Sequence, residues 1–145
     1  MRIENLEMLH RVACKFLEEE GKQEREGATV ITLSGDLGAG KTAFVKEVAN
    51  CLSVKEEVTS PTFVIQKEYI IPEHSLWKKL VHIDAYRLES KSELEYLGWD
   101  ELIRNSENII FIEWPEQVEG IDFNNATQVH IKILDDDARE VEILR

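Results

Sequence analysis

The sequence is poor in the residues that mark a secreted scaffold, a membrane span or a nucleic-acid surface. It has 2 cysteines, Cys14 and Cys51, too few and too far apart for a zinc-ligand pattern. One falls within an apolar helical stretch and the other near the end of the next helix, so both are expected as packed thiols. No apolar run approaches the ~18 residues of a membrane span. The first residues, MRIENLEML, lack the apolar core of a signal peptide and carry acidic side chains early, which leads to the expectation of a cytoplasmic protein. Basic residues are also scarce: 17 Lys and Arg stand against 29 Asp and Glu, a net charge of −12. Such a field repels phosphate backbones and excludes a general basic surface for naked nucleic acid. It leaves room for a local anion site and for docking on a basic protein partner. What remains is ordinary for a globule, with 43% hydrophobic and 32% charged residues in a length that suits one domain, residues 1–145.

The pattern along the chain is α/β. Residues 5–19 read as an amphipathic helix with Asn5 as N-cap and Leu6, Leu9, Ala13, Phe16 and Leu17 at helical spacing. Glu18 to Gly27 is charged and holds two glycines, which suggests a solvated connection. Thr29 to Leu33 is β-branched and apolar, as a buried strand should be, and a helical stripe from Ala43 to Leu52 follows. Val58 to Thr62 reads as a loop, and Pro72 to Lys78 as a polar turn between strands at Phe63–Ile71 and Leu80–Asp84 that suit an antiparallel pair. Ser90 and Glu93 match a capping box for a helix that stops at Gly98, and Trp99 to Asn105 suggests another short one. Ile109 to Ile112 is fully apolar, typical of a buried parallel strand, and Pro115 ends that segment. Thr127–Leu134 and Arg139–Leu144 look like a closing hairpin. The expected architecture is a mixed sheet of the phosphate-loop NTPase type, with central parallel strands, antiparallel edge strands and flanking helices.

Between the first strand and its helix lies Gly35-Asp36-Leu37-Gly38-Ala39-Gly40-Lys41-Thr42, which fits G-x-x-x-x-G-K-[ST]. Glycines let the backbone adopt dihedrals that turn successive N–H groups inward and form a nest for an anion. A helix beginning at the end of the loop adds unpaired N–H groups and the positive end of its dipole. Lys41 is then expected to reach the β- and γ-phosphates of a nucleotide, and the Thr42 hydroxyl to ligate Mg²⁺. A glycine-rich turn that binds nothing is the alternative, and the strand before and helix after argue against it.

Sheets of this class bind ligands outside the carboxyl ends of their parallel strands. That rule selects Asp84 and Glu113, each at the end of an apolar strand, to meet Thr42 at one rim. Two acids there allow one to hold the metal shell and the other to orient the attacking water, although either alone could be a helix cap or a surface ion pair. Thr62, in the Ser60-Pro61-Thr62 loop, is a metal ligand ordered by a γ-phosphate or else a turn hydroxyl. His82 shares a strand face with Asp84 and reads better as a packed or supporting histidine than as a base. Trp114 reads as packing or the wall of a lid.

GDLGAGKT (Gly35–Thr42), SPTF (Ser60–Phe63), HIDAYRL (His82–Leu88), ELEYLG (Glu93–Gly98) and IEWPE (Ile112–Glu116) come in the order and spacing of the TsaE family, also called YjeE. The chain resembles that family over residues 29–144. The resemblance implies a weak Mg²⁺-dependent ATPase that works with the TsaD–TsaB pair, which transfers a threonylcarbamoyl group to adenosine 37 of tRNAs; TsaC makes the threonylcarbamoyl-adenylate. It implies contact with tRNA only through that complex. It also implies ATP binding by Gly35, Asp36, Leu37, Gly38, Ala39, Gly40, Lys41, Thr42 and Ala43, with Arg139, on the hairpin near the base, as a stacking group. Lys41, Thr62, Asp84 and Glu113 would serve catalysis, with Thr42, Asp84 and Glu113 around the metal. Two departures stand out. Ala43 occupies a position where the family often has a hydroxyl, and residues 1–28 contain no Ser or Thr where the family often has a threonine near the adenine.

Three other classes compete. A free-standing nucleoside or small-molecule kinase needs cations over the transferring phosphoryl group, and Arg87, Arg104 and Arg139 are scattered. A guanine-specific switch would resemble its class in an Asn-Lys-x-Asp box, and none occurs. A non-catalytic module would bind nucleotide without hydrolysing it.

Overall fold

The computed structural model describes residues 1–61 and 64–145. Its elements are β1 (Arg2–Ile3), α1 (Leu6–Glu20), β2 (Thr29–Ser34), α2 (Lys41–Cys51), β3 (Gln66–Ile70), β4 (Lys79–Asp84), α3 (Lys91–Tyr96), α4 (Trp99–Arg104), β5 (Asn108–Glu113), β6 (Thr127–Ile133) and β7 (Arg139–Leu144). The strands form one sheet in the order β1-β7-β6-β2-β5-β4-β3. β6, β2, β5 and β4 run parallel, whereas β7 and β3 pair antiparallel at the two sides. The mixed sheet therefore matches the expected architecture, and the pairing of β3 with β4 matches the expected hairpin. The two-residue β1, which pairs with β7, is too short to leave a periodic trace in the sequence.

Side chains of a strand alternate between faces, and β5 shows the consequence. Ile109 and Phe111 pack in a cluster with α1 and α2, while Ile110 and Ile112 pack in a second cluster with α3 and α4. A strand buried on both faces has no polar alternation, hence its continuous apolar run. Phe16 of α1, Phe44 of α2 and Phe111 of β5 meet at centroid distances of 5.4 to 6.4 Å. Truncating such a fully buried ring costs about 3–5 kcal/mol, so this cluster seats α2 firmly on the sheet.

Several local expectations need correction. Glu20, in the stretch expected to be solvated, is buried. Its carboxylate accepts from Arg25 (2.6 Å), Arg145 (2.9 Å) and the Thr127 hydroxyl (2.9 Å), which ties the end of α1 to β6 and the last residue. Trp77 is buried within the expected polar turn, its indole N–H donating to Thr29 Oγ1 at 3.0 Å. The capping box at α3 does not form: Ser90 makes no side-chain cap bond, and Glu93 accepts from the N–H of Glu89, one residue before the cap, at 2.9 Å. Cys14 and Cys51 are not separate packed thiols. α1 and α2 bring their Cα atoms to 5.6 Å and the two are joined by a disulfide. A cysteine on each of two helices reveals nothing until the helices are known to be neighbours.

Candidate functional site

The glycine loop leaves β2 at its carboxyl end and enters α2 at Lys41. Gly40 has φ 115°, a conformation side chains with a Cβ resist, and it turns the chain into the helix. At Gly35 the limit is space, because a Cβ there would run into the carbonyl oxygen of Ile131 on β6. Each glycine is thus required by a different constraint.

Period-2 alternation sets the rest. His82 and Asp84 lie on the same face of β4 as Leu80, and Glu113 on the same face of β5 as Phe111, so all share the side that carries α2. Asp84 stands opposite Glu113 in the β4–β5 register, and Glu113 opposite Leu33 in the β2–β5 register. Lys41, Thr42, Asp84 and Glu113 accordingly line one cleft of about 270 Å³, together with Leu37, Gly38, Gly40, Ser60 and Trp114. The two acids predicted to meet the loop do so. Thr62 lies outside the described residues.

Hydrogen bonds fix the participants. Thr42 Oγ1 donates to Glu113 Oε2 at 3.1 Å, and His82 Nε2 lies 2.5 Å from the same oxygen. A carboxylate only accepts, and among the described residues His82 Nδ1 is buried without a partner; both facts place the imidazole proton on Nε2, aimed at Glu113. His82 is wholly buried, which supports its reading as a supporting group rather than a base open to solvent. Asp84 Oδ1 accepts from the Tyr86 N–H at 3.0 Å, and the Asp84 N–H donates to Ile65 O at 2.7 Å. Ile65 has φ 69°, a costly state for a β-branched residue, at the end of the Ser60-Pro61 loop. That loop is therefore tied by its backbone to the acid at the cleft.

Lys41 is almost fully buried, and Nζ donates to the carbonyls of Gly35 (2.5 Å) and Asp36 (3.1 Å). It also lies 4.3 Å from the centroid of the Trp114 ring, which walls the cleft. Trp114 itself has φ 59°, placing a second strained residue directly after Glu113. Burial pulls the Lys41 ammonium below its ordinary value of 10.5, against the raising influence of Glu113, Asp84, Glu116 and Asp36.

A second cleft, of about 340 Å³, shares Gly38 and Gly40 with the first and reaches the start of α1 and the β6–β7 hairpin. Ala39, Ala43 and Arg139 border it. Arg139 Nε donates to Ala39 O at 3.0 Å, so this side chain braces the loop from the hairpin. The sequence reading missed the contribution of Asn5, Leu6 and Leu9, because their helical pattern carries no sign of what lies opposite. A larger cleft of about 470 Å³ involves Ala28 and Val30 at the start of β2, opposite the end of that strand from which the glycine loop leaves.

The donor set fits a magnesium nucleotide. Thr42, Asp84 and Glu113 offer hard oxygen ligands, Lys41 offers a cation, and the loop offers helix-N-terminal N–H groups. Among the described residues, no helix is long and apolar enough to cross a membrane.

The family described as threonylcarbamoyl adenosine biosynthesis protein TsaE matches residues 3–142. The tRNA threonylcarbamoyladenosine biosynthesis protein TsaE of Aquifex aeolicus is 40% identical over 131 residues, 89% of this chain and 86% of the relative. The Haemophilus influenzae protein of the same name is 36% identical over 134 residues, 92% of this chain and 81% of the relative. A crystal structure of Bacillus subtilis YdiB superposes with a TM-score of 0.66 at 32% identity, covering 97% of this chain and 80% of that one.

Proposed function

Because the chain belongs to the TsaE family, we propose that it is the ATP-binding, slowly ATP-hydrolysing subunit of tRNA threonylcarbamoyladenosine formation, working with a TsaD–TsaB-type complex. The observation that carries the reading is the meeting of Lys41, Thr42, Asp84 and Glu113 in one cleft beneath the glycine loop. ATP and Mg²⁺ are the cofactors that this donor set suits.

The residues divide the work as follows. Backbone N–H groups from Gly38 to Ala43 bind phosphate oxygens. Lys41 exchanges its two carbonyl partners for the β- and γ-phosphates, gaining a charged acceptor for neutral ones. Thr42, Asp84 and Glu113 would hold the magnesium ion. Magnesium, when bound, offsets the triphosphate charge and polarises the terminal phosphoryl group. Glu113 orients the attacking water, and His82 positions Glu113 by its hydrogen bond to Oε2. Arg139 and the second cleft receive the adenosine, and Thr62, outside the described residues, is assigned to the γ-phosphate by the family resemblance alone. Trp114 and the α2 face keep bulk water from the reacting group.

The test is a pull-down with purified TsaD–TsaB in the presence of ATP or ADP, with phosphate release followed in parallel. Nucleotide-dependent capture together with slow hydrolysis that the pair accelerates is expected. Rapid transfer of phosphate to a nucleoside would make the protein a kinase. Binding without hydrolysis, even beside the pair, would make it a non-catalytic module.

A further inference from the structure

Away from the nucleotide cleft, at the other end of α2, a second group of ligating side chains is assembled. α1 contributes His10 and Cys14, and α2 contributes Glu47 and Cys51. Each pair has i,i+4 spacing and so occupies one helix face. We propose that, once the Cys14–Cys51 disulfide is reduced, His10, Cys14 and Cys51 form a binding site for a thiophilic divalent cation of the zinc type.

The side chains are grouped for such a site, although the two sulfurs, bonded to each other in the disulfide, must part to about 3.8 Å once reduced. In a tetrahedral centre with metal–nitrogen bonds of about 2.05 Å and metal–sulfur bonds of about 2.3 Å, ligand nitrogen and sulfur lie about 3.6 Å apart. His10 Nε2 is 3.5 Å from Cys14 Sγ, and the ligand atoms of all three residues lie within 4.8 Å of one another. The imidazole is also oriented for the task. His10 Nδ1 lies 2.9 Å from Glu47 Oε2, and a carboxylate acceptor places the proton on Nδ1. Nε2 is then left with its lone pair, 3.5 Å from Cys14 Sγ, while Cys51 Sγ lies 3.9 Å from Nδ1; a carboxylate–histidine–metal arrangement of this kind fixes a ligand's tautomer and raises its basicity. Glu47 is thus a positioning residue here. The His10 side chain is 45% exposed, which gives an ion a path in and leaves a fourth position for water. Two sulfurs and an imidazole select a soft or borderline cation over magnesium, whose oxygen ligands lie elsewhere in the chain.

The disulfide and the metal exclude each other. Reduction by a dithiol breaks the S–S bond, delivers two electrons and two protons to the protein sulfurs, and converts the reductant to its own disulfide. Metal uptake then releases the two thiol protons to solvent. Both states fasten α1 to α2, one covalently and one by coordination.

Cobalt(II) tests the site, because thiolate ligation gives a charge-transfer band and strong tetrahedral d–d absorption that oxygen ligands do not. Chelator-stripped full-length protein, reduced and held without oxygen, is titrated with Co²⁺ and compared with the disulfide form. Saturation of the thiolate band at one cobalt per chain in the reduced protein, with none in the oxidised protein, is expected. Cys14→Ser should lose the band, and Glu47→Gln should weaken uptake by about 10–100-fold. Cobalt taken up without a thiolate band would place it at oxygen ligands and overturn the proposal. So would a reduced protein that takes up none, or a Cys14→Ser band of wild-type strength. The comparison of reduced with oxidised wild type needs no variant, so a misfolded mutant does not spoil it.

Discussion

Glu113→Gln separates the chemistry of the cleft from its architecture. Gln keeps the volume of the side chain and a carbonyl that accepts from His82 Nε2–H, but it removes the charge that orients and polarises water. A positioned acid–base group contributes typically 10²–10⁴-fold, so turnover should fall by that factor, about 3–5 kcal/mol of barrier. Nucleotide affinity should stay within a few-fold, since the loop N–H groups, Lys41 and the other two proposed magnesium ligands, Thr42 and Asp84, are untouched and the Gln carbonyl keeps an oxygen toward the ion. Glu113→Ala should lose turnover equally and also destabilise the fold. Its truncation leaves the buried His82 N–H and the Thr42 hydroxyl without their acceptor, at a cost of about 1–3 kcal/mol. For a chain of 145 residues the unfolding entropy is about 0.3 kcal/mol/K, which converts that cost into a Tm lowered by about 3–10 °C. The assay is single-turnover phosphate release at saturating MgATP with and without TsaD–TsaB, beside nucleotide-binding titrations and thermal melts. Wild-type turnover by Glu113→Gln would refute the role given to this carboxylate. Equal melting of the Ala and Gln variants would refute the hydrogen-bonding account of His82.

Three further outcomes follow from named contacts. Lys41→Ala should abolish nucleotide binding in titrations. In the wild type, affinity should decline with rising pH before the ordinary lysine value of 10.5 is reached, because burial lowers the Lys41 pKa and the charge that binds phosphate is lost early. The effect on stability has the opposite sign: between the lowered folded value and the unfolded one the unfolded chain holds more protons, so the Lys41 contribution improves as pH rises, which melts across the alkaline range of wild type and Lys41→Ala would reveal. Glu20→Ala should lower stability by about 3 kcal/mol, or a Tm drop of about 10 °C, by leaving Arg25 and Arg145 without their buried acceptor. Arg139→Ala should weaken nucleotide binding roughly fivefold, about 1 kcal/mol, because a partly exposed arginine no longer braces the loop carbonyl of Ala39; an unchanged dissociation constant in the same titration would remove Arg139 from the site.

What was legible in the sequence and what was not divides along the range of the interactions. The glycine loop could be read because its spacing and the positive φ at Gly40 are local to one turn of chain, even though Gly35 also answers to Ile131 on β6. Asp84 and Glu113 could be placed because strand periodicity and the carboxyl-end rule convert position along a strand into position at a rim, and the parallel pairing of β4, β5 and β2 then brings them to Thr42. The misread features all depend on which elements become neighbours. Glu20 looks like a solvated charge until β6 and the last residue arrive beside it. Trp77 looks like part of a polar turn until Thr29 offers its indole an acceptor. Cys14 and Cys51 look like two packed thiols until the aromatic cluster of Phe16, Phe44 and Phe111 lays α1 against α2. That same packing joins the two halves of the molecule's chemistry. α2 begins at Lys41, to which we assign phosphate binding, and ends at Cys51, which is bonded to Cys14. It spans only about 15 Å at 1.5 Å per residue.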